Sequence, residues 1–218
     1  MRYERKYSFN YFEYHLLQSQ LRASGFAFNY PKRIVSSIYF DTLDFTLFHS
    51  SQYGLKDRVK MRYRWYSNDI NPKMENKIKK DELSYKNNFI SEIDCKDKIL
   101  VRHLCPISRK YYDLKVPRVI KNIYFPSVSI TYERDYFVSN CGKCRITLDS
   151  NIHFSKIINF GDYSKISSWN PAPNSVLEIK YKFNFKDAED MIGKFLRDTN
   201  LCLTRNSKYC QGIIQLNN

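Results

Sequence analysis

Five cations alternate along one short segment of the chain, and their spacing suits the binding of a polyanion. Between Lys56 and Tyr66 every second residue is Lys or Arg, namely Lys56, Arg58, Lys60, Arg62 and Arg64. Because side chains alternate across a β-strand, this pattern predicts a strand with all five cations on one face. Like charges along one face repel each other, so the row adds no stability. Taken alone, the row is most simply the solvated outer face of a sheet, and a phosphate-binding surface is the alternative.

Other segments repeat this division into an apolar and a charged face. Glu4 and Lys6 share one face of a predicted strand, and Glu178 and Lys180 share one face of another. The apolar faces need a cover of helices, and the charged faces could line the lumen of a closed barrel. The predicted strands are Arg2–Phe9, Val35–Asp41, Lys56–Tyr66, Met74–Lys80, Ser127–Val138, Lys143–Asp149 and Val176–Phe183.

Two segments have the apolar spacing of helices that could supply this cover. Leu16, Leu17 and Leu21 precede Gly25, a residue type that often ends a helix. A second helix is predicted from the apolar residues Ala188, Met191, Ile192, Phe195 and Leu196, after a capping-box-like start at Asn184 and Asp187. A weaker helical pattern covers residues 94–104. The predicted class is α+β, an antiparallel barrel or tunnel flanked by helices.

Length and composition restrict the function classes. The 218 residues carry a net charge of +14 and no linker-like tract, so a single domain, 1–218, with a polyanionic partner is expected. No apolar stretch is long enough for a membrane span. Six cysteines without a secretory signal predict free thiols and a cytoplasmic location. The phosphate-loop and dinucleotide-binding glycine motifs are missing.

Eight short motifs in sequence order resemble one known family. They are Arg2-Tyr-Glu-Arg-Lys-Tyr7, Ile38-Tyr-Phe-Asp-Thr42, Lys60-Met-Arg-Tyr-Arg64, Glu75-Asn-Lys77, Tyr132-Glu-Arg134, Arg145-Ile-Thr-Leu-Asp149, Val176-Leu-Glu-Ile-Lys180 and Ser207-Lys-Tyr209. This series resembles the VTC domain, the polyphosphate polymerase domain of the CYTH/triphosphate tunnel metalloenzyme superfamily. The resemblance implies a β-tunnel and an enzyme that transfers the γ-phosphoryl group of ATP to inorganic polyphosphate.

The resemblance also implies roles for particular residues. The catalytic cations that bind phosphate would be Lys6, Arg62, Arg64, Lys77, Arg134, Arg145 and Lys208. Further substrate-binding candidates are Lys60, Lys86, Tyr132, Lys180 and Ser207. The metal, Mn²⁺ or Mg²⁺, would be held by Glu178 and Glu4, although Glu4 is equally well explained as a salt-bridge partner of the cations. The expected partners are ATP and polyphosphate, with no specific nucleic acid.

One departure separates two related activities. Hydrolytic tunnel enzymes typically begin Glu-x-Glu-x-Lys, whereas this chain has Arg2 in the first position, followed by Glu4 and Lys6. The loss of one carboxylate weakens the case for a triphosphatase or short-chain polyphosphatase and favours the polymerase. A non-catalytic polyanion-binding module is the third hypothesis. Glu178 argues against it, because a pure anion binder would not place a carboxylate among its cations.

Three other features have simpler structural interpretations. Cys141 and Cys144 have metal-ligand spacing, but Gly142 between them more simply predicts a hairpin turn. Asp41 is expected to cap the turn that follows its strand. Glu75 is expected to be a charge partner that positions Arg62 or Lys77.

Overall fold

The structure, a computed structural model, describes residues 2–67, 73–80, 83–90, 124–160, 163–182, 186–199 and 201–217. The strands are β1 (Arg2–Phe9), β2 (Phe26–Asp41), β3 (Arg58–Tyr66), β4 (Lys73–Lys80), β5 (Leu83–Ile90), β6 (Phe125–Ser139), β7 (Cys144–Phe160), β8 (Tyr163–Pro171), β9 (Ser175–Lys182) and β10 (Cys202–Leu203). The helices are α1 (Tyr14–Ala23), α2 (Thr46–Gln52), α3 (Lys186–Arg197) and α4 (Lys208–Asn217). The predicted helical pattern at residues 94–104 lies outside the described residues.

The strands form one mixed-length sheet with the order β10-β1-β9-β7-β6-β2-β3-β4-β5, and β8 pairs with β7. The pairs β1–β10, β1–β9, β2–β3, β3–β4, β4–β5 and β7–β9 are antiparallel. The α+β class, with an antiparallel sheet and flanking helices, is therefore confirmed. Within the described residues, the path of paired strands ends at β10 and at β5.

The chain divides into two compact units. The first contains residues 1–34, 132–152 and 171–207, and the second contains residues 35–131, 153–170 and 208–218. Strands β2, β6, β7 and β8 contribute residues to both units. The single domain expected from the sequence remains a prediction.

In the first unit, α1 and α3 cover the apolar face of β1, β9 and β7. Leu17 and Leu21 of α1 and Ile192 and Phe195 of α3 share one buried cluster with alternate strand residues. Those strand residues include Tyr7, Phe9, Ile146, Leu148, Leu177 and Ile179. Each fully buried side chain of this kind stabilises the fold by about 1.5–3 kcal/mol. The residues between them, which include Lys6 and Glu178, consequently face away from the helices.

In the second unit, the same alternation separates a core from a charged face. Ile38 and Phe40 of β2, Met61 and Tyr63 of β3 and Met74 of β4 belong to one buried cluster, which also includes Leu47 of α2. Directly opposite pairs such as Tyr39–Arg62 and Arg62–Glu75 occupy the other face of these strands. The cation row predicted between Lys56 and Tyr66 is thus one face of a strand, which begins at Arg58.

Asp41 ends β2 and fixes the start of α2, as the sequence predicted. Its Oδ1 accepts hydrogen bonds from the backbone N–H groups of Thr42 and Leu47, each at 2.8 Å, and its Oδ2 accepts one from Phe48 at 2.8 Å. The Tyr209 hydroxyl of α4 also donates to Oδ2. One buried carboxylate therefore joins the starts of two helices.

Several elements differ from the sequence prediction. Strands β2 and β7 are much longer than predicted, and α2, α4, β5 and β8 were not predicted. Gly25 lies just beyond α1 with φ at +87°, which confirms it as a stop signal, and Gly142 has φ at +72° in the turn before β7. Among the residues that the structure describes, no helix is long and apolar enough to cross a membrane.

Gly212 tests the packing of α4. A Cβ at this position would lie 2.9 Å from Phe154 Cδ1 and 3.1 Å from Val128 Cγ2, both side chains of the same unit. We expect Gly212→Ala to lower the free energy of unfolding by about 1–3 kcal/mol, because overpacking outweighs the gain in helix propensity.

Gly193→Ala in α3 is the matched control, because the added Cβ would meet only Arg197 Nη1 at 3.6 Å. It should be neutral or stabilise by up to about 1 kcal/mol. Urea unfolding of the two variants measures the difference. Equal stability of the two variants would contradict the close packing at Gly212.

Candidate functional site

The first unit carries two neighbouring rows of mainly charged side chains across three strands. Lys180 of β9 lies opposite Glu4 of β1 on one side and Arg145 of β7 on the other. Glu178 of β9 lies opposite Lys6 and Thr147 in the next row of the same face. Directly opposite side chains share a face, so the register assembles candidates from three separate motifs on one surface. We name the set Glu4, Lys6, Arg134, Asp149, Glu178 and Lys180 the first cluster.

Glu178 is the central carboxylate of the first cluster. Its Oε1 lies 2.6 Å from Lys180 Nζ, and the residue is only 7% exposed. Burial by itself would raise the pKa of this carboxyl, but Lys180, Lys6 and Arg134 outweigh it and hold the pKa well below its usual range. Glu178 is therefore ionised at neutral pH and able to act as a metal ligand.

Asp149 holds Arg134 in a bidentate ion pair that the sequence analysis did not identify. Arg134 Nε lies 2.5 Å from Asp149 Oδ1, and Nη2 donates to Oδ2 at 2.7 Å. Burial would lower the pKa of Arg134, but Asp149 raises it well above its usual value. The alternation that predicts β7 places Asp149 on the same face as Arg145. This shared face is the feature of the sequence that could have identified Asp149 as a site residue.

Lys6 contacts a carboxylate and a backbone carbonyl. Its Nζ lies 3.4 Å from Glu4 Oε1 and donates to the carbonyl oxygen of Asn206 at 3.2 Å. The salt-bridge interpretation of Glu4 thus has a direct contact to support it. Its role as a metal ligand remains a prediction.

The second unit carries the second cluster, which we define as Tyr39, Arg62, Arg64, Glu75 and Lys86. Glu75 Oε2 lies 2.7 Å from Arg62 Nε and 2.6 Å from Arg62 Nη2, and Glu75 Oε1 lies 2.7 Å from Lys86 Nζ. Burial would raise the pKa of Glu75, but Arg62, Arg64 and Lys86 lower it to about 2. The predicted pairing of Glu75 with Arg62 is present.

Arg62 and Arg64 have further partners on β2. Arg62 Nη1 donates to the Tyr39 hydroxyl oxygen at 2.9 Å, and Arg64 Nε donates to Ser37 Oγ at 3.0 Å. Arg64 is only 6% exposed, which is unusual for an arginine. Tyr39 was not a candidate in the sequence, because a tyrosine within an apolar strand pattern gives no signal of its own.

A row of three lysines includes Lys86 of the second cluster. Lys77 of β4 lies directly opposite Lys60 of β3 and Lys86 of β5. Directly opposite like charges repel each other, and the ion pair of Lys86 with Glu75 offsets part of this repulsion. It is a surface that bound phosphate would stabilise.

The remaining candidates have different surroundings. Tyr132 is buried with the Arg134 guanidinium 5.2 Å from its ring centroid, whereas Arg145 is exposed. Ser207 is half-buried in the first unit, and Lys208 is half-buried at the start of α4 in the second. The two clusters therefore contain most of the predicted cations, in separate sets.

Glu178 is the carboxylate of the first cluster that is predicted to hold a divalent metal. In the described part of the chain, no group of three or more His, Cys, Asp and Glu side chains forms a metal site. An ionised carboxylate beside several cations instead suits a metal that takes its other ligands from phosphate oxygens. Cys141 and Cys144 lie at the hairpin turn, and neither belongs to such a group.

Solved structures with this fold come from several organisms. A Hippeastrum adenylyl cyclase candidate with a dominant triphosphatase activity matches with a TM-score of 0.58 at 15% identity, over 99% of this chain and 96% of that one. A Pyrococcus horikoshii protein matches at 0.54 and 16%, over 99% of both chains. A Bacillus halodurans adenylate cyclase candidate matches at 0.56 and 14%, over 94% and 92%. At these identities the likenesses show a shared fold.

The family follows from the sequence match. The family model of the VTC domain matches residues 1–217. The chain belongs to the VTC domain family, within the triphosphate tunnel metalloenzyme group, whose members generally use divalent metal ions. A comparison with curated proteins gives no match.

The Arg134–Asp149 pair should be important for stability. Asp149 is fully buried, and the Arg134 side chain is 13% exposed. Asp149→Asn keeps the volume but removes the charge of the carboxylate that is hydrogen-bonded to the guanidinium. We expect a loss of about 3–5 kcal/mol in the free energy of unfolding, measured by urea titration.

Glu4→Gln is the control for this prediction. It removes a 3.4 Å ion pair whose side chains are about one-third exposed, and it should cost no more than about 1 kcal/mol. If Asp149→Asn were as stable as Glu4→Gln, the ion pair would not be a structural requirement.

Proposed function

We infer that this protein is a polyphosphate polymerase that transfers the γ-phosphoryl group of ATP to the end of an inorganic polyphosphate chain. The observation that carries this proposal is the state of the carboxylates among the cations. Glu178 has a strongly lowered pKa, and the pKa of Glu75 is about 2. Carboxylates of such low pKa are weak general bases. They suit a reaction whose nucleophile is already an anion.

The reaction needs positioning and charge neutralisation rather than a protein nucleophile. A terminal oxygen of the polyphosphate chain forms a bond to the γ-phosphorus of ATP, the bond from that phosphorus to the β–γ bridging oxygen breaks, and ADP leaves. No proton has to be removed from the nucleophile. The protein has to bring two polyanions together, which repel each other in water.

The cations of each cluster supply this neutralisation. Arg62 and Arg134 are oriented by Glu75 and Asp149, so their planar N–H groups are fixed before phosphate binds. The lysines Lys60, Lys77 and Lys86 add point charges in one row. Lys6 and Lys180 flank Glu178 and would bind the phosphate oxygens beside a metal.

A divalent metal would be held by Glu178, with Glu4 as a second candidate. When bound, it would neutralise charge on phosphate oxygens. Mn²⁺ and Mg²⁺ both prefer such oxygen ligands. Lys180 and Lys6 would keep Glu178 ionised, so that the carboxylate remains a ligand at any pH near neutrality.

Hydrolysis of a triphosphate is the second candidate function. It is favoured by the fold likeness to the Hippeastrum protein, which has a dominant triphosphatase activity. A hydrolase must activate water. In this chain Arg2 stands where hydrolytic tunnel enzymes typically have a glutamate, which weakens the case for hydrolysis. The two activities differ in product, because hydrolysis releases free phosphate and polymerisation does not.

The direct experiment is incubation of the purified protein with ATP and either Mn²⁺ or Mg²⁺. Products are resolved on a gel stained for polyphosphate, and ADP and free phosphate are measured in the same samples. The proposal expects polymer and ADP in matching amounts. Free phosphate without polymer would support the triphosphatase, and ATP binding without turnover would support a binding module.

Glu178→Gln separates catalysis from anion binding. The substitution keeps the volume but removes the charge that would hold the metal. We expect polymer synthesis to fall roughly 10²–10³-fold in kcat, since a main electrostatic element is removed. Polyphosphate binding should be retained or strengthened, because a carboxylate that repels the anion has gone.

Glu189→Gln is the matched control, because Glu189 is exposed in the first turn of α3. It should leave synthesis unchanged at saturating ATP and metal. Equal synthesis by Glu178→Gln and wild type would mean that Glu178 is a structural ion-pair partner and not the metal ligand.

A further inference from the structure

Tyr39 lies at the centre of the second cluster. It is directly opposite Arg62 in the pairing of β2 with β3, and it is 6% exposed. The Arg62 Nη1 group donates to its hydroxyl oxygen at 2.9 Å, and the guanidinium carbon lies 5.8 Å from its ring centroid. Tyr39 therefore holds Arg62 on one side, while Glu75 holds it on the other.

The ring of Tyr39 is fixed by its other neighbour. It stacks on Tyr209 of α4, with ring centroids 5.0 Å apart and an interplanar angle of 14°. Tyr209 is fixed in turn, because its hydroxyl donates to Asp41, whose carboxylate also accepts the backbone N–H groups at the start of α2. Burial and Asp41 raise the pKa of Tyr209, so only one of the two stacked phenols can ionise near neutrality.

The charges around Tyr39 favour its phenolate. Arg62, Arg64 and Lys60 of β3 are the cations that act on it, and Tyr209 is the neutral group stacked on it from α4. Glu75 of β4 acts from behind Arg62. Burial alone would raise the pKa of Tyr39, but the cations lower it to about 7. The phenol oxygen already accepts a hydrogen bond from Arg62, which is the geometry that a phenolate requires.

We propose that Tyr39 is a proton-linked positioning residue, which orients Arg62 for phosphate and takes up one proton when phosphate binds. This inference rests on the proposed function, because it assumes that the second cluster binds phosphate groups. An incoming phosphate brings negative charge to Arg62, Arg64 and Lys60. It thereby offsets the attraction that stabilises the phenolate, and a proton from solvent converts Tyr39–O⁻ to the neutral phenol.

The sign of the pH dependence follows from linkage. Below pH 7 the phenol is already protonated, so phosphate binds without proton uptake. As the pH rises through about 7, the free protein is increasingly a phenolate that must be protonated for tight binding, and affinity falls. The expected loss is roughly fivefold between pH 7 and pH 8 and approaches tenfold per pH unit above that.

Tyr39→Phe tests the proposal, because it removes the hydroxyl and keeps the ring that stacks on Tyr209. The ligand is inorganic tripolyphosphate, and binding is measured by calorimetry from about pH 6 to pH 9 in two buffers of different ionisation enthalpy. Wild type should take up close to one more proton than Tyr39→Phe above pH 7, and its affinity should fall more steeply. The comparison cancels the titration of the ligand itself.

The phenolate also has a spectroscopic signature. Absorbance of free wild type near 295 nm should rise with a midpoint near pH 7, and this rise should vanish in Tyr39→Phe and be suppressed by tripolyphosphate. Tyr30→Phe is the control, because Tyr30 is an exposed tyrosine of the same strand. Tyr30→Phe should keep the rise in absorbance near pH 7 that wild type shows.

The outcomes separate this inference from the proposed function. Equal proton uptake and equal pH dependence in wild type and Tyr39→Phe would overturn the role of Tyr39 and leave polymerisation open. Failure of wild type to bind tripolyphosphate at any pH would overturn both. Proton-linked binding without polymer synthesis would support the role of Tyr39 and remove the polymerase.

Discussion

Three buried or nearly buried carboxylates make the charged faces of this sheet possible. Asp149, Glu178 and Glu75 each lie among cations that alternate with core residues along the same strands. Strand alternation forces those cations onto one face, since the other face packs under helices. Without carboxylates, the cations on such a face would repel each other. With too many carboxylates, the face would no longer bind an anion. The positions of these few carboxylates therefore govern the rest of the structure.

The carboxylates also decide how the arginines meet a substrate. A guanidinium has five N–H donors in one plane, and a bidentate carboxylate uses one edge of that plane. Asp149 holds Arg134 in this way, whereas Arg62 is held by a single oxygen of Glu75 and by the Tyr39 hydroxyl. The orientation is fixed by folding, so that little reorganisation is needed when a phosphate arrives. Preorganised donors are most effective for phosphoryl transfer, in which the protein has little covalent chemistry to perform.

Tyr39 and Tyr209 connect this electrostatic arrangement to the helices. Asp41 fixes the start of α2 and the hydroxyl of Tyr209, and the Tyr209 ring fixes the Tyr39 ring. Lys208, a predicted phosphate ligand, immediately precedes Tyr209 at the start of α4. The Ser207-Lys-Tyr209 motif therefore has a packing role in addition to any contact with substrate. The position of Arg62 therefore depends on α2 and α4, through these hydrogen bonds and the stacked rings.

The sequence by itself determined the fold class, the family and the division of strands into charged and apolar faces. These features follow from local periodicity and from short motifs in a fixed order. Both depend mainly on residues that are close together in the chain. The sequence missed α2 and α4, because α2 is only seven residues long and because Asp41 and Tyr209, which join their starts, are far apart in the chain. It also underestimated β2, because residues 27–34 are all exposed and this part of the strand has no alternation of buried and exposed positions.

Only the tertiary structure decided which charges meet. Asp149 and Arg134 come from different strands, and the pairing that makes them a bidentate couple depends on register. The surroundings of Tyr39 arise in the same way, because Arg62 lies opposite it only in the observed pairing of β2 with β3. A pKa depends on burial and on charges within a few ångströms, and neither quantity exists along an isolated strand. The residue types were readable in the sequence, whereas their electrostatic roles required the assembled sheet.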